Sequence, residues 1–332
     1  MSESDFLSDS VIGHTGTCAE LRTLIERNTV PHALLFTGPD AVGKRTAARA
    51  FAAMLLERSV PDSQQTLTLV RSGNHPDFHM LAKEPEKKDL AVDGVRELCQ
   101  KLRLKPYLGG CSVAIIDEAD SMSLAAANAL LMTLEEPTPA SYLILVSDAP
   151  QRLPDTIVSR CQSVQFGRLA ESEVMALLGR LFAAPLAEAV SLTALASLLD
   201  GTLAPLGLKP FVHPKTLKVE ESKELAKHLT RLLEDTNRLS ARLDEVFTPR
   251  RGAESLALSL ASELASDREG LPFVWQVLRN KLRRRLRECT SEDAATRAQA
   301  MLEALQSEQL SKERTLNPQL QLSSVLLRGI DR

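Results

Sequence analysis

Short apolar runs alternate with helical periodicities along the first half of the chain. His32–Phe36 (HALLF) is one such run, closed by Thr37-Gly38-Pro39, and Arg45–Leu56 follows as an Ala/Leu-rich helical stretch. Asp77–Leu81 and Ser112–Ile116 read as further strands, and Val92–Leu102 between them has the spacing of an amphipathic helix. Ser123–Glu136 is predicted to be a helix, with Ser123 as its cap and Pro137 after its end. Tyr142–Val146 (YLILV) is apolar throughout, as expected of a strand covered on both faces, and Ser163–Phe166 closes the series. Strands alternating with helices predict a parallel sheet with helices on both faces.

After about Gly167 only helical periodicities remain. Glu171–Leu181 and Leu186–Leu199 form one small helical unit ending near Gly201, and a loop with Pro205, Pro210 and Pro214 follows. From Val219 come long charged helices, broken around Thr248-Pro249 and Asn317-Pro318. The expected organisation is an α/β domain over 1–168, a helical lid over 169–208 and a helical domain over 209–332.

Composition narrows the class. A chain of 332 residues has room for roughly two or three domains. With 25% charged residues and a net charge of −3, it is neither a disordered acidic chain nor a generally basic nucleic-acid binder. Aromatic residues make up only 4%, which suits packed helices and disfavours an all-β sandwich or barrel. The apolar runs fall far short of a membrane span, and the acidic start MSESDFLSDS is unlike a signal peptide. Cys18, Cys99, Cys111, Cys161 and Cys289 stand singly, with no CxxC, so neither a disulfide framework nor a structural zinc site is expected. A soluble, reducing, cytoplasmic setting without membrane partners is the expectation.

Three motifs carry candidate chemistry. Gly38-Pro39-Asp40-Ala41-Val42-Gly43-Lys44-Arg45 lies between a strand and a helix, the context of a phosphate-binding P-loop. There the glycines let backbone N–H groups turn inward, the helix N-terminus favours an anion, and Lys44 reaches the terminal phosphates. The residue after the lysine should supply a hydroxyl to Mg²⁺, yet it is Arg45; Thr46, about 100° further round the helix, is a poor substitute. The second motif, Val113-Ala-Ile-Ile-Asp117-Glu118, delivers an acidic pair at the end of an apolar strand. Asp117 suits the metal's water shell and Glu118 suits orientation of an attacking water. The third, Ser159-Arg160-Cys161, offers either a surface charge or an arginine finger, whose planar fork stabilises charge on a transferring phosphoryl group.

Other features read more plainly. His75 and His79 (GNHPDFH) are expected on one face of an extended segment, but with neither Cys nor acidic partners nearby they make a weak metal site. Cys99 and Cys111 read as buried apolar residues. The stretch Arg279–Arg287 (RNKLRRRLR) reads as a solvated face or a surface for an acidic subunit, since no aromatic residues interleave.

In their order and spacing these motifs resemble the AAA+ clamp-loader family of bacterial DNA polymerase III. The resemblance rests on Pro31–Phe36, the GPDAVGKR loop, Gly73–Asp77, Ile116–Asp120, Asn128–Pro137 and Leu153-Pro154 through Ser159-Arg160-Cys161, covering residues 10–168. Past residue 170 it is weaker, resting on helical character and the final Asn317-Pro318-Gln-Leu-Gln-Leu. It implies an AAA+ module with a helical lid, then a helical collar that packs with other clamp-loader subunits into a heteromeric ring. The ring uses ATP to place a sliding clamp on primed DNA.

For the individual residues, the resemblance implies nucleotide contacts from Gly38, Pro39, Asp40, Ala41, Val42, Gly43, Lys44, Arg45, Thr46, Asp117 and Ser147. Glu118 would be a vestigial catalytic residue, and Arg160 a finger acting on the ATP site of a neighbouring subunit. Arg45, the cysteine-free stretch Leu56–Arg71 where many relatives carry a zinc module, and Pro205 in the lid depart from the active pattern. ATP is therefore expected at a weak or vestigial site, with Mg²⁺ disfavoured and no zinc. The chain would be a stator of the polymerase holoenzyme, with little or no hydrolysis of its own. The alternatives are an autonomous AAA+ motor of a clamp loader, or a remodeller in recombination or repair.

Overall fold

The computed structural model describes residues 11–59, 63–84, 89–108, 110–181, 231, 234–235, 237–246, 252–266, 271–288, 292–310 and 317–328. The expected helix Leu186–Leu199, the Gly201–Pro205 segment, the loop with Pro210 and Pro214, and the break at Thr248-Pro249 lie outside these residues. The chain divides into two compact units, 1–176 and 177–332.

The elements as far as residue 181 alternate as the hydrophobic pattern predicts. They are helix α1 (Thr15–Glu26), strand β1 (Ala33–Thr37), helices α2 (Lys44–Ser59) and α3 (Ser63–Ser72), strand β2 (Phe78–Leu81), helix α4 (Val92–Arg103), strand β3 (Ser112–Ile116), helix α5 (Leu124–Glu135), strand β4 (Ser141–Ser147), helix α6 (Asp155–Val158), strand β5 (Gln162–Gln165) and helix α7 (Glu171–Leu181). The five strands pair in the order β2-β3-β4-β1-β5, all parallel. In β1, Leu34 and Phe36 face one side, where they meet Leu21 and Ile25 of α1 and Ala47 and Phe51 of α2. Ala33 and Leu35 face the other, against a layer built from Leu98 and Leu102 of α4 and Leu130 and Leu134 of α5. The period-two alternation of side chains thus feeds two cores, and the sheet is covered on both faces.

Strand ends shift by about one residue from their predicted places, as fraying ends do. Helix α5 is capped as expected, Ser123 Oγ accepting from the Ala126 N–H at 3.2 Å. Helix α1 was not expected, and neither was helix α3. Leu67 and Val70 meet the core from it, a stripe too short for periodicity to reveal. His75 and His79 do not share an extended segment: His79 is in β2, but His75 precedes the turn that begins it, its carbonyl accepting from Phe78 N–H at 3.1 Å.

In the second unit the described elements are all helical: a stretch over 237–246, then α8 (Ala253–Ser266), α9 (Leu271–Glu288), α10 (Glu292–Leu310) and α11 (Pro318–Leu327). Leu243, Leu260, Leu278, Leu282, Leu305 and Leu322 build their common core. Asn317 caps α11 through Gln319 N–H at 3.0 Å, with Pro318 at the first helical position, where its missing donor costs nothing. Within the basic stretch, Lys281 turns back onto Ser240 and the Asp244 carboxylate, 2.6 Å away.

Candidate nucleotide site and the Arg160 corner

The turn from β1 into α2 is shaped by backbone more than by side chains. Gly38 has φ +142°, and a Cβ there would lie 2.1 Å from the Phe166 carbonyl oxygen, so only glycine fits. Gly43, at φ +103°, has open space on the side where a Cβ would point. Ala41 between them is also left-handed, at φ +55°. Such a curled turn running into a helix start is what an anion-binding loop requires. Asp40 and Pro39 are half-buried in this turn, Val42 is buried beneath it, and Thr46 is half-buried in the first turn of α2. His14, itself left-handed, buttresses the loop. Its Nε2 lies 2.9 Å from the Val42 carbonyl oxygen, and its ring meets Phe166 edge-on at 5.0 Å.

The charged residues around the loop satisfy one another. Lys44 is buried, and its ammonium donates to the carbonyls of Gly38, at 2.9 Å, and Pro39, and pairs with Asp148 at 2.7 Å. An ammonium has three N–H donors, so these three acceptors engage it fully. Arg45 reaches across to Asp117, with 3.2 Å between Nη1 and Oδ2. Glu118, in a left-handed conformation at φ 50°, pairs with Lys83 at 3.0 Å. Ser147 is fully buried opposite Thr37 and donates to Asp120 at 2.8 Å. The structure therefore brings Gly38–Thr46, Asp117, Glu118 and Ser147 to one edge of the sheet, where β1, β3 and β4 end.

The fit to the implied groups is uneven. The curled loop, the open side of Gly43 and Lys44 suit a phosphate. The residues do not suit Mg²⁺. The hydroxyl position is Arg45, whose guanidinium already faces the carboxylate that would hold the metal's water shell. Glu118 faces the Lys83 ammonium rather than the loop, so its carboxylate is engaged away from the place of an attacking water.

Arg160 lies elsewhere. It follows α6 and comes two residues before β5, whose Gln162 is level with Leu34 near the start of β1. Gly38 follows the end of β1 and abuts Phe166, beyond the far end of β5. Strands rise about 3.3 Å per residue, so the length of β5 separates Arg160 from its own P-loop, roughly 15–20 Å. The side chain is held on this opposite edge: Nη1 donates to Thr156 O at 2.9 Å and Nη2 pairs with Glu135 at 2.8 Å. Its side chain remains 37% exposed. Next to it, burial pushes the Cys161 thiol up to about 12, so it stays protonated at neutral pH.

The two histidines line a cavity of about 420 Å³ between β2, the turn before it and α4, together with Glu97 and Lys101. His75 Nδ1 accepts from Asp77 N–H at 3.1 Å, and its Nε2 is buried without a partner. That bond assigns the ring proton to Nε2, which removes the lone pair a metal would need there. Burial lowers the pKa of both histidines. Among the described residues no group of three or more His, Cys, Asp and Glu is placed to hold a metal ion, and no helix is long and apolar enough to cross a membrane. Cys99 and Cys111 are buried, as expected.

Sequence reasoning missed His14, Lys83, Asp120, Glu135 and Asp148. His14 alone left a local signal, as the residue after Gly13 at the head of an amphipathic helix.

A Gly-shaped loop with a lysine at the helix start, an acidic pair closing a neighbouring strand and a parallel sheet define a P-loop NTPase-like unit, a nucleotide-binding fold. Residues 13–170 match the family model described as DNA polymerase III, delta subunit. The chain is 40% identical over 135 residues to DNA polymerase III subunit delta' of Pseudomonas aeruginosa, covering 39% of this chain and 41% of that one. It is 35% identical over 173 residues to the delta' subunit of Bacillus subtilis, covering 48% and 52%, and 30% identical over 197 residues to the tau subunit of that organism, covering 58% and 35%. A solved DNA polymerase III gamma subunit-related protein from Thermotoga maritima aligns at 18% identity with a TM-score of 0.40, covering 93% of this chain and 98% of that one. The chain spans about half or less of the length of the curated relatives it matches. Over residues 13–170 it is similar to DNA polymerase III subunits, among them relatives described as delta' subunits.

Proposed function

We propose that this chain is a delta-prime-like stator of a bacterial DNA polymerase III clamp loader, which lends Arg160 to the ATP site of a neighbouring subunit. The supporting observation is the position of Arg160: fixed, partly exposed and on the sheet edge opposite its own P-loop. A guanidinium so placed can reach a phosphate held by another chain, where it stabilises charge that grows during transfer. The P-loop edge supports the same reading, because Lys44, Asp117 and Glu118 are each engaged by groups of this chain. Nucleotide binding here is weak and owes little to Mg²⁺. The helical segments after about residue 168 act as lid and collar, joining the other subunits in a heteromeric ring that loads the sliding clamp on primed DNA in the cytoplasm.

The test is reconstitution with the partner subunits. Arg160→Ala should leave folding and ring assembly unchanged and lower the ATP turnover of the facing site by about 10³-fold. Arg160→Lys should not restore it, because an ammonium lacks the planar fork. Unaltered turnover in the Arg160→Ala ring would return Arg160 to a surface charge. Brisk Mg²⁺-dependent hydrolysis by the chain alone would favour a motor instead.

A further inference from the structure

We propose that Glu135 is a positioning residue for Arg160, an inference that rests on the finger reading above. Arg160 is the second residue past a short helix, where a long side chain would ordinarily sample several rotamers. Two contacts fix it instead. Thr156 O receives Nη1–H at 2.9 Å, and Glu135 Oε1 faces Nη2 at 2.8 Å. Both partners belong to anchored elements. Glu135 is the last residue of α5, one position after buried Leu134; Thr156 precedes buried Ile157 in α6; and Leu134 and Ile157 share one core cluster. The carbonyl and the carboxylate therefore set the plane of the fork. A guanidinium has five N–H donors, so these two contacts leave others free to meet a phosphate oxygen.

The pair does little for stability. Its side chains are 37% and 50% exposed, and exposed pairs contribute little to folding. Its value is orientation: a finger that arrives with its plane already fixed loses less freedom when it engages, and small misplacements of a catalytic group are costly in rate.

The experiment compares Glu135→Ala, Glu135→Gln and Arg160→Ala in the reconstituted ring. Glu135→Ala should lower kcat about tenfold while KM for ATP stays within about twofold, because the nucleotide is held by the neighbouring chain. Glu135→Gln keeps an acceptor at the same place and should recover most of the rate. In the isolated full-length chain, ¹⁵N relaxation of the Arg160 Nε–H should report a mobile side chain in Glu135→Ala and an ordered one in Glu135→Gln. If Arg160→Ala lowers turnover but Glu135→Ala does not, the finger stands and positioning by Glu135 is overturned. If Glu135→Ala raises turnover, the pair is a brake, and the proposal is equally overturned. If neither variant changes turnover, the finger reading itself falls, and this inference with it.

Discussion

The two edges of the sheet handle charge in opposite ways. Where β1, β3 and β4 end, Asp117, Glu118 and Asp148 each face a cation of the same chain, and buried Lys44 is saturated by two carbonyls of its own loop and by Asp148. Where β5 begins, Arg160 is braced by a carbonyl and a half-exposed carboxylate, with part of its fork turned to solvent. The first arrangement resembles a nucleotide site whose polar groups have found partners at home. The second is a braced, partly exposed cation, the placement that the proposed finger role needs. The difference teaches that the shape of a P-loop and the groups that handle its metal are set by different residues. The loop's curvature depends on glycines and strand ends, whereas metal handling depends on one hydroxyl, replaced here by Arg45.

That contrast can be broken at either edge. The largest effect should come from the shape itself. Gly38→Ala forces a Cβ to within 2.1 Å of the Phe166 carbonyl oxygen at a left-handed φ. It should lower stability to chemical denaturation by roughly 2–4 kcal/mol, whether or not nucleotide ever binds. A loss of a few tenths would mean the loop is not structurally required.

A smaller effect should follow at the chemistry. Arg45→Thr removes the guanidinium that faces Asp117 and restores a hydroxyl at the metal position, so Mg²⁺ should strengthen binding of a fluorescent ATP analogue about tenfold, against almost no Mg²⁺ effect in the natural chain. A large Mg²⁺ dependence already present with Arg45 would show that another group coordinates the metal, and the contrast between the edges would lose its basis.

How much of this was legible in the sequence follows from the range of each interaction. The sheet was legible because buried parallel strands are written as continuous apolar runs, YLILV most plainly. The Ser123 cap, the loop from Gly38 to Lys44, and Asp117 at the end of its strand were legible too, since each is a local pattern. Helix α3 was not, because ten residues with two core contacts carry too little periodicity. His75 was misplaced because an apolar pattern does not reveal the turn between Pro76 and Phe78. The pairings of Arg45 with Asp117, Lys83 with Glu118, Lys44 with Asp148 and Arg160 with Glu135 were invisible for a different reason. Each joins residues far apart in sequence and depends on strand order and register, which composition and spacing do not specify.

The proposed stator role requires one asymmetry, a contribution to turnover through Arg160 and not through the chain's own P-loop. The most direct measurement is the ATPase of the reconstituted clamp loader carrying this chain as Lys44→Ala, beside the ring carrying Arg160→Ala. The account predicts turnover within about twofold of the natural ring for Lys44→Ala and a loss of about 10³-fold at the facing site for Arg160→Ala. A ring disabled by Lys44→Ala and indifferent to Arg160→Ala would contradict it.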